Sequence, residues 1–147
     1  MSKPSYVYVT YIRSTPEKVW QALTDREISG QYWGCHSNVS TWAVGSKWEH
    51  QRSDAQRTVD IVGEVIESVP PKRLVFSWAA PSDATRPEKV SCVTFDIEVY
   101  KDDGVRLTVT HDRLEPGSKM ERDISGGWPL VLSSLKSFLE TGGGLPM

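Results

Sequence analysis

The sequence predicts an α+β domain in which a curved antiparallel sheet wraps a long C-terminal helix. Three observations predict it. Residues 93–112 alternate with a period of two: Val93, Phe95, Ile97 and Val99 against Thr94, Asp96, Glu98 and Tyr100, then Val105, Leu107, Val109 and His111 against Arg106, Thr108, Thr110 and Asp112. One apolar and one polar face is the mark of an antiparallel sheet with one wet side. Ile124, Trp128, Val131, Leu132, Leu135, Phe138 and Leu139 recur instead at helical spacing. Between residues 37 and 112 turn residues separate short β-rich runs, with no internal repeat or linker.

The elements follow in order. Ser5 to Ile12, rich in β-branched and aromatic types, reads as a strand. Thr15 then caps a helix whose first turn takes Pro16 and Glu17, and Val19, Trp20 and Leu23 form its apolar stripe. Asp25 caps a second short helix through Tyr32, ending near Gly34. Lys47 to Gln51 is a strand, followed by the polar loop Arg52 to Gln56. Thr58 to Ser68 is a longer strand with Gly63 inside it, which suggests a bulge or sharp bend. Val69-Pro70-Pro71-Lys72 is a turn, because two prolines cannot enter a ladder. Arg73 to Trp78 places Leu74, Phe76 and Trp78 on one face, and Asp102-Asp103-Gly104 closes the hairpin that follows. Gly126-Gly127-Trp128-Pro129 predicts a kink or weak point in the last helix, and Gly142 to Gly144 end it.

At 147 residues the chain is expected to be a single domain over 1–147, with its core at 5–141 and a flexible tail at 142–147. Its 17 basic and 19 acidic residues nearly cancel, and without a basic run binding to a nucleic-acid backbone is a poor fit. No apolar run is long enough to span a membrane. Cys35 and Cys92 lack CxxC or zinc spacing and nothing resembles a signal peptide, so two free thiols in a reducing cytoplasm are expected. Cys35, His36, His50 and Glu49 form no second pair at metal spacing, and no metal or cofactor is expected.

Six tryptophans in so small a domain must line a core, a cavity or a binding face. Trp33, Trp48, Trp78, Phe95, Val109, His111, Trp128 and Leu132 are the expected lining of a cavity between sheet and helix. Parity turns His111 inward and Asp112 outward, so the two do not form a His–Asp pair. The preferred role for His111 is structural, its ring bonded to a backbone carbonyl or an indole near Trp128. The alternative is a general acid or base at the cavity's end. Of the loop charges Asp54, Arg57, Asp83, Arg86 and Glu88, none is singled out as a determinant.

The stretch Pro16-Glu17-Lys18-Val19-Trp20-Gln21-Ala22-Leu23-Thr24 resembles the first-helix motif of the START-like (SRPBCC) superfamily. Its specific likeness is to the family of the activator of the heat-shock-protein-90 ATPase. Gly63-Glu64-Val65, Pro70 to Trp78, Arg106 to His111, and Gly127-Trp128 through Gly142 agree in order and spacing. The resemblance implies a helix-grip fold of the START/Bet v-like kind with a deep cavity, in a stand-alone, single-domain bacterial member. It implies binding of an apolar or aromatic small molecule or lipid, with a non-enzymatic role preferred. A cavity enzyme of cyclase, dehydratase or hydrolase type using His111, or a co-chaperone-like module with a chaperone partner, are the alternatives. The chain is expected as a monomer or homodimer.

Overall fold

The computed structural model describes residues 3–147, so the first two residues of the expected 1–147 domain lie outside the described residues. In chain order the elements are β1 (Tyr6–Arg13), α1 (Pro16–Thr24), α2 (Arg26–Tyr32), β2 (His36–Ser40), β3 (Lys47–Arg52), β4 (Val59–Val69), β5 (Arg73–Trp78), β6 (Ser91–Tyr100), β7 (Gly104–Asp112) and α3 (Lys119–Thr141). Two 3-10 turns, Pro81–Asp83 and Pro87–Lys89, cross the gap between β5 and β6. The strands form one curled antiparallel sheet in the order β1-β7-β6-β5-β4-β3-β2, a half-barrel closed by α3.

The local chemistry explains the boundaries. Thr15 Oγ1 accepts from Lys18 N at 3.2 Å, Pro16 occupies the first turn of α1, and Asp25 Oδ1 accepts from Ile28 N at 2.9 Å to start α2. α3 begins before the apolar period at Ile124. Ser118 Oγ accepts from Glu121 N at 3.1 Å while the Glu121 carboxylate accepts from Gly117 N at 2.8 Å. Ser118-Lys119-Met120-Glu121 thus acts as a variant of the capping box, with Glu121 reaching one residue before the cap, a start signal the apolar period does not contain.

β4 changes partners along its length. Its first half pairs with β3, Trp48 opposite Gly63, and its second half with β5, Val65 opposite Phe76. Between Val62↔Ala79 and Val65↔Phe76 the ladder opens, and two side chains fill it: Trp48 Nε1 donates to Ser77 O at 2.7 Å, and Ser77 Oγ accepts from Glu64 N at 2.8 Å. Gly63 is therefore a corner of close approach, and the bulge itself lies between Val65 and Glu67.

The concave face and α3 share one apolar core. Phe76, Val93, Phe95, Leu107 and Val109 from the sheet meet Ile124, Trp128, Leu132 and Leu135, and α1 adds Val19, Ala22 and Leu23. α3 also guards edge strand β1: Lys136 Nζ donates to Tyr11 O at 2.6 Å, and the Glu140 carboxylate accepts from Arg13 N at 2.8 Å. Residues 142–147, expected as a flexible tail, fold back on the molecule. Leu145 N donates to Ser134 Oγ at 2.9 Å and Gly144 lies against Tyr32. The serines on that face of α3 supply the anchor, a contact no local pattern announces.

Helix α3 runs through Gly126-Gly127-Trp128-Pro129 without interruption. A Cβ at Gly126 would meet nothing within 4 Å. Gly126→Ala is therefore expected to stabilise the domain by about 0.5–1 kcal/mol, because alanine loses less backbone entropy in a helix. Urea unfolding reads this directly, and a destabilised variant would mean that the backbone there needs glycine.

Candidate ligand-binding cavity

At one end of the half-barrel the concave side is not filled. The C-terminal ends of β3, β5 and β7 and the N-terminal ends of β4 and β6 converge there beneath the first half of α3, leaving a cavity of about 600 Å³. Its apolar wall is Trp33, Ile61, Trp78, Leu114, Ile124 and Trp128, with Met120 and Val131. The helical members fall at Met120, Ile124, Gly127, Trp128 and Val131, one stripe of α3. The three indoles touch: Trp128 stands 5.6 Å from Trp33 and 5.6 Å from Trp78, centroid to centroid.

Of the eight residues expected on this wall, Trp33, Trp78 and Trp128 are on it. Trp48, Phe95, Val109, His111 and Leu132 are packed in the core behind it, each almost wholly buried. The strand alternation turns Phe95, Val109 and His111 inward, and all five are buried. Phe95, Val109 and Leu132 sit deeper along their strands or helix than the open end, whereas His111 stands near it but is covered by Trp128 and Ser91.

His111 is fully engaged. Trp128 Nε1–H donates to its Nδ1 at 3.1 Å, so the ring's proton sits on Nε2, which donates to Ser91 Oγ at 2.7 Å. Ser91 Oγ in turn donates to Trp78 O at 3.0 Å. Burial pushes the His111 pKa down to about 3, keeping the ring neutral. The chain runs from the Trp128 indole through His111 and Ser91 to the Trp78 backbone carbonyl, and so fixes the Trp128 ring against β5. His111 is thus bonded to the indole of Trp128.

The sequence groups a second buried imidazole, His50, only with Cys35, His36 and Glu49, where no metal is expected. His50 borders the cavity, with its ring 5.1 Å from Trp33 and 6.1 Å from Trp78. His36 stacks on it at 4.6 Å and contacts Asp60 Oδ2 at 2.7 Å. Burial, with the adjacent His36 ring, pushes the His50 pKa down to about 3. The Arg52 guanidinium, bonded to both Asp60 oxygens at 2.7 and 2.9 Å, holds that carboxyl below its usual range, and His36 adds to this. The alternation of Trp48 and His50 along β3 is the sequence signal that places His50 inward.

Around the mouth stand Asp60, Asp83, Glu115 and Asp123 against Lys89 and Lys119. Both lysines are paired, Lys89 with Glu115 at 3.0 Å and Lys119 with Asp123 at 2.7 Å. Asp54 and Arg57 border a different, polar groove. Among the described residues no group of three His, Cys, Asp or Glu side chains could hold a metal ion. Cys35 and Cys92 are free thiols. No described helix is long and apolar enough to cross a membrane, which says nothing of a β-barrel.

Known proteins place this architecture. A Cytophaga hutchinsonii protein solved in solution superposes with a TM-score of 0.77 at 26% identity, over 97% of this chain and 97% of its own. The Aha1 dimer from Colwellia psychrerythraea gives 0.74 at 23% identity, over 96% and 99%. An HSP90 activator from Plasmodium falciparum gives 0.64 at 22%, over 95% and 89%. At such low identities the last two show the fold alone. No curated protein matches the chain. The family described as activator of Hsp90 ATPase homolog 1-like protein matches residues 13–140, nearly the whole sheet and helix, and the chain belongs to that family.

Proposed function

We propose that this chain binds an apolar, aromatic small molecule in the cavity between the open end of the sheet and the first half of α3. The observation that carries the reading is a cavity of about 600 Å³, within the range of small-molecule sites, walled by three indoles, with Trp128 against both Trp33 and Trp78. Apolar burial on those rings supplies affinity at roughly 25 cal/mol per Å². No reacting pair is required: His111 is locked between Trp128 and Ser91, and its part is to hold the wall.

Tryptophan fluorescence with thermal shift, across flavonoids, polyketide-like aromatics, sterols and fatty acids, tests this. A ligand at 100 times its Kd adds about 2.7 kcal/mol of stability. That amounts to a Tm rise of several degrees. Trp33→Leu keeps an apolar side chain and removes one ring, so it is expected to weaken binding about tenfold. A titration in which Trp33→Leu and the parent respond identically would place the ligand elsewhere.

A second reading, an interaction module, is favoured by one feature. Val7, Val9 and Tyr11 point outward along edge strand β1 and are exposed, and Tyr11 meets exposed Tyr100 edge-on at 4.8 Å. Similar proteins include a dimer and an HSP90 activator. Silence of the ligand panel together with self-association in sedimentation would move the reading to this face.

A further inference from the structure

His50 has a defined tautomer. Asn38 Nδ2 donates to Leu23 O at 3.0 Å, which turns the amide so that its Oδ1 faces His50 Nδ1 at 2.8 Å. An amide oxygen only accepts, so Nδ1 carries the ring's proton and Nε2 is a bare acceptor in the neutral ring. Burial keeps it neutral. Among the described residues no side chain or backbone group bonds Nε2, and it is not one of the sealed, unpartnered atoms of the interior. His50 is nevertheless only 6% exposed and borders the cavity. Its plane is held by His36, stacked at 4.6 Å and 9°. A fixed lone pair therefore stands beside the aromatic wall with no partner from the chain.

The geometry points to a phenol as the ligand class: a neutral aromatic ring lying among Trp33, Trp78 and Trp128, with its O–H donating to His50 Nε2. The inference rests on the cavity reading above and names what that cavity selects. A phenol is neutral at pH 7, with a pKa near 10 by analogy with tyrosine. An anionic ligand would meet a mouth whose two lysines are already paired and whose carboxylates outnumber them. A purely apolar ligand would leave a buried acceptor without a donor.

The test is an NMR-monitored titration of the unmutated chain at pH 7 with 2-naphthol and with 2-methylnaphthalene, probes of the same ring and nearly the same size. Apolar burial alone favours the methyl compound. The expected result is the reverse, with 2-naphthol binding about tenfold tighter because only it satisfies the acceptor. Equal affinities, or the methyl compound ahead, overturn the assignment of His50 while leaving the cavity reading standing. Failure of both probes to bind overturns both. Tighter binding of 2-naphthoate than of 2-naphthol also overturns it, since that anion brings charge and no donor. In His50→Phe the preference for 2-naphthol is expected to vanish while 2-methylnaphthalene still binds. Should that variant not fold, ring ¹⁵N NMR of the parent decides: Nε2 is expected bare in the free protein and hydrogen-bonded with 2-naphthol. A proton found on Nε2 without ligand would sink the proposal.

Discussion

Lowering the pH from 7.5 to 5 is expected to cost this domain about 4 kcal/mol, roughly half of an ordinary domain's stability. The loss comes from His50 and His111, both buried and both held near a pKa of about 3. In the unfolded chain each returns to about 6.5 and takes up a proton as the pH falls below that value. The folded state cannot follow until about pH 3. Between these limits the unfolded state binds more protons, so stability falls as pH falls, by up to about 1.4 kcal/mol per unit for each ring. At pH 5 each has lost about 2 kcal/mol. Above pH 7 both rings are neutral in either state and the contribution is flat. The depressed carboxyl of Asp60 acts in the same direction only at still lower pH. Urea unfolding at pH 7.5, 6 and 5 reads the slope, and His111→Gln is expected to halve it in its own background. A stability unchanged between pH 7.5 and 5 would mean that both rings gain a proton without unfolding, and a loss of about 2 kcal/mol that one of them does.

That both histidines matter was not equally legible. His111 follows Leu107 and Val109 at period two in a strand closed by an Asp-Gly turn, so its inward direction and its reach toward Trp128 are readable from the chain. The pairing of β6 with β7 is readable for the same reason, and the structure sets Phe95 opposite Val109 and Val93 opposite His111. His50 has the same parity with Trp48, but the metal-spacing question draws attention to its neighbours in sequence rather than to its face. The cavity itself is hidden from any local pattern. Its wall takes Trp33 from the end of α2, His50 from β3, Ile61 from β4, Trp78 from β5 and Met120 from α3, segments separated by tens of residues. Periodicity tells which face a side chain takes and not how far along the strand the core ends. Phe95 and Val109 face the right way but stand where α3 covers the sheet, whereas Ser91, four residues from Phe95, stands at the open end.

Gly63→Ala is expected to cost 3 kcal/mol or more, the range of severe overpacking, and to close the cavity's far wall out of register. A Cβ built on Gly63 would sit inside the van der Waals shells of the Ser77 carbonyl oxygen and of Trp48 Nε1. Those two atoms are themselves bonded to each other at 2.7 Å, the bond that spans the opening in the β4–β5 ladder. One is backbone, which cannot rotate away. The other belongs to an indole that is 1% exposed and wedged against Phe76 and Trp78. The methyl group must therefore push β4 off β5, at the corner from which Asp60, Ile61 and Trp78 project toward the cavity. Gly45→Ala is the control, because Gly45 has a φ of +87° and nothing within 4 Å of a built Cβ. That substitution carries only the left-handed backbone penalty of roughly 1–2 kcal/mol. Denaturant unfolding of the two variants side by side separates a glycine needed for space from one needed for its dihedral angle. Equal losses at the two positions would mean that the β4 corner yields, and that Trp48 does not hold the bend of the sheet.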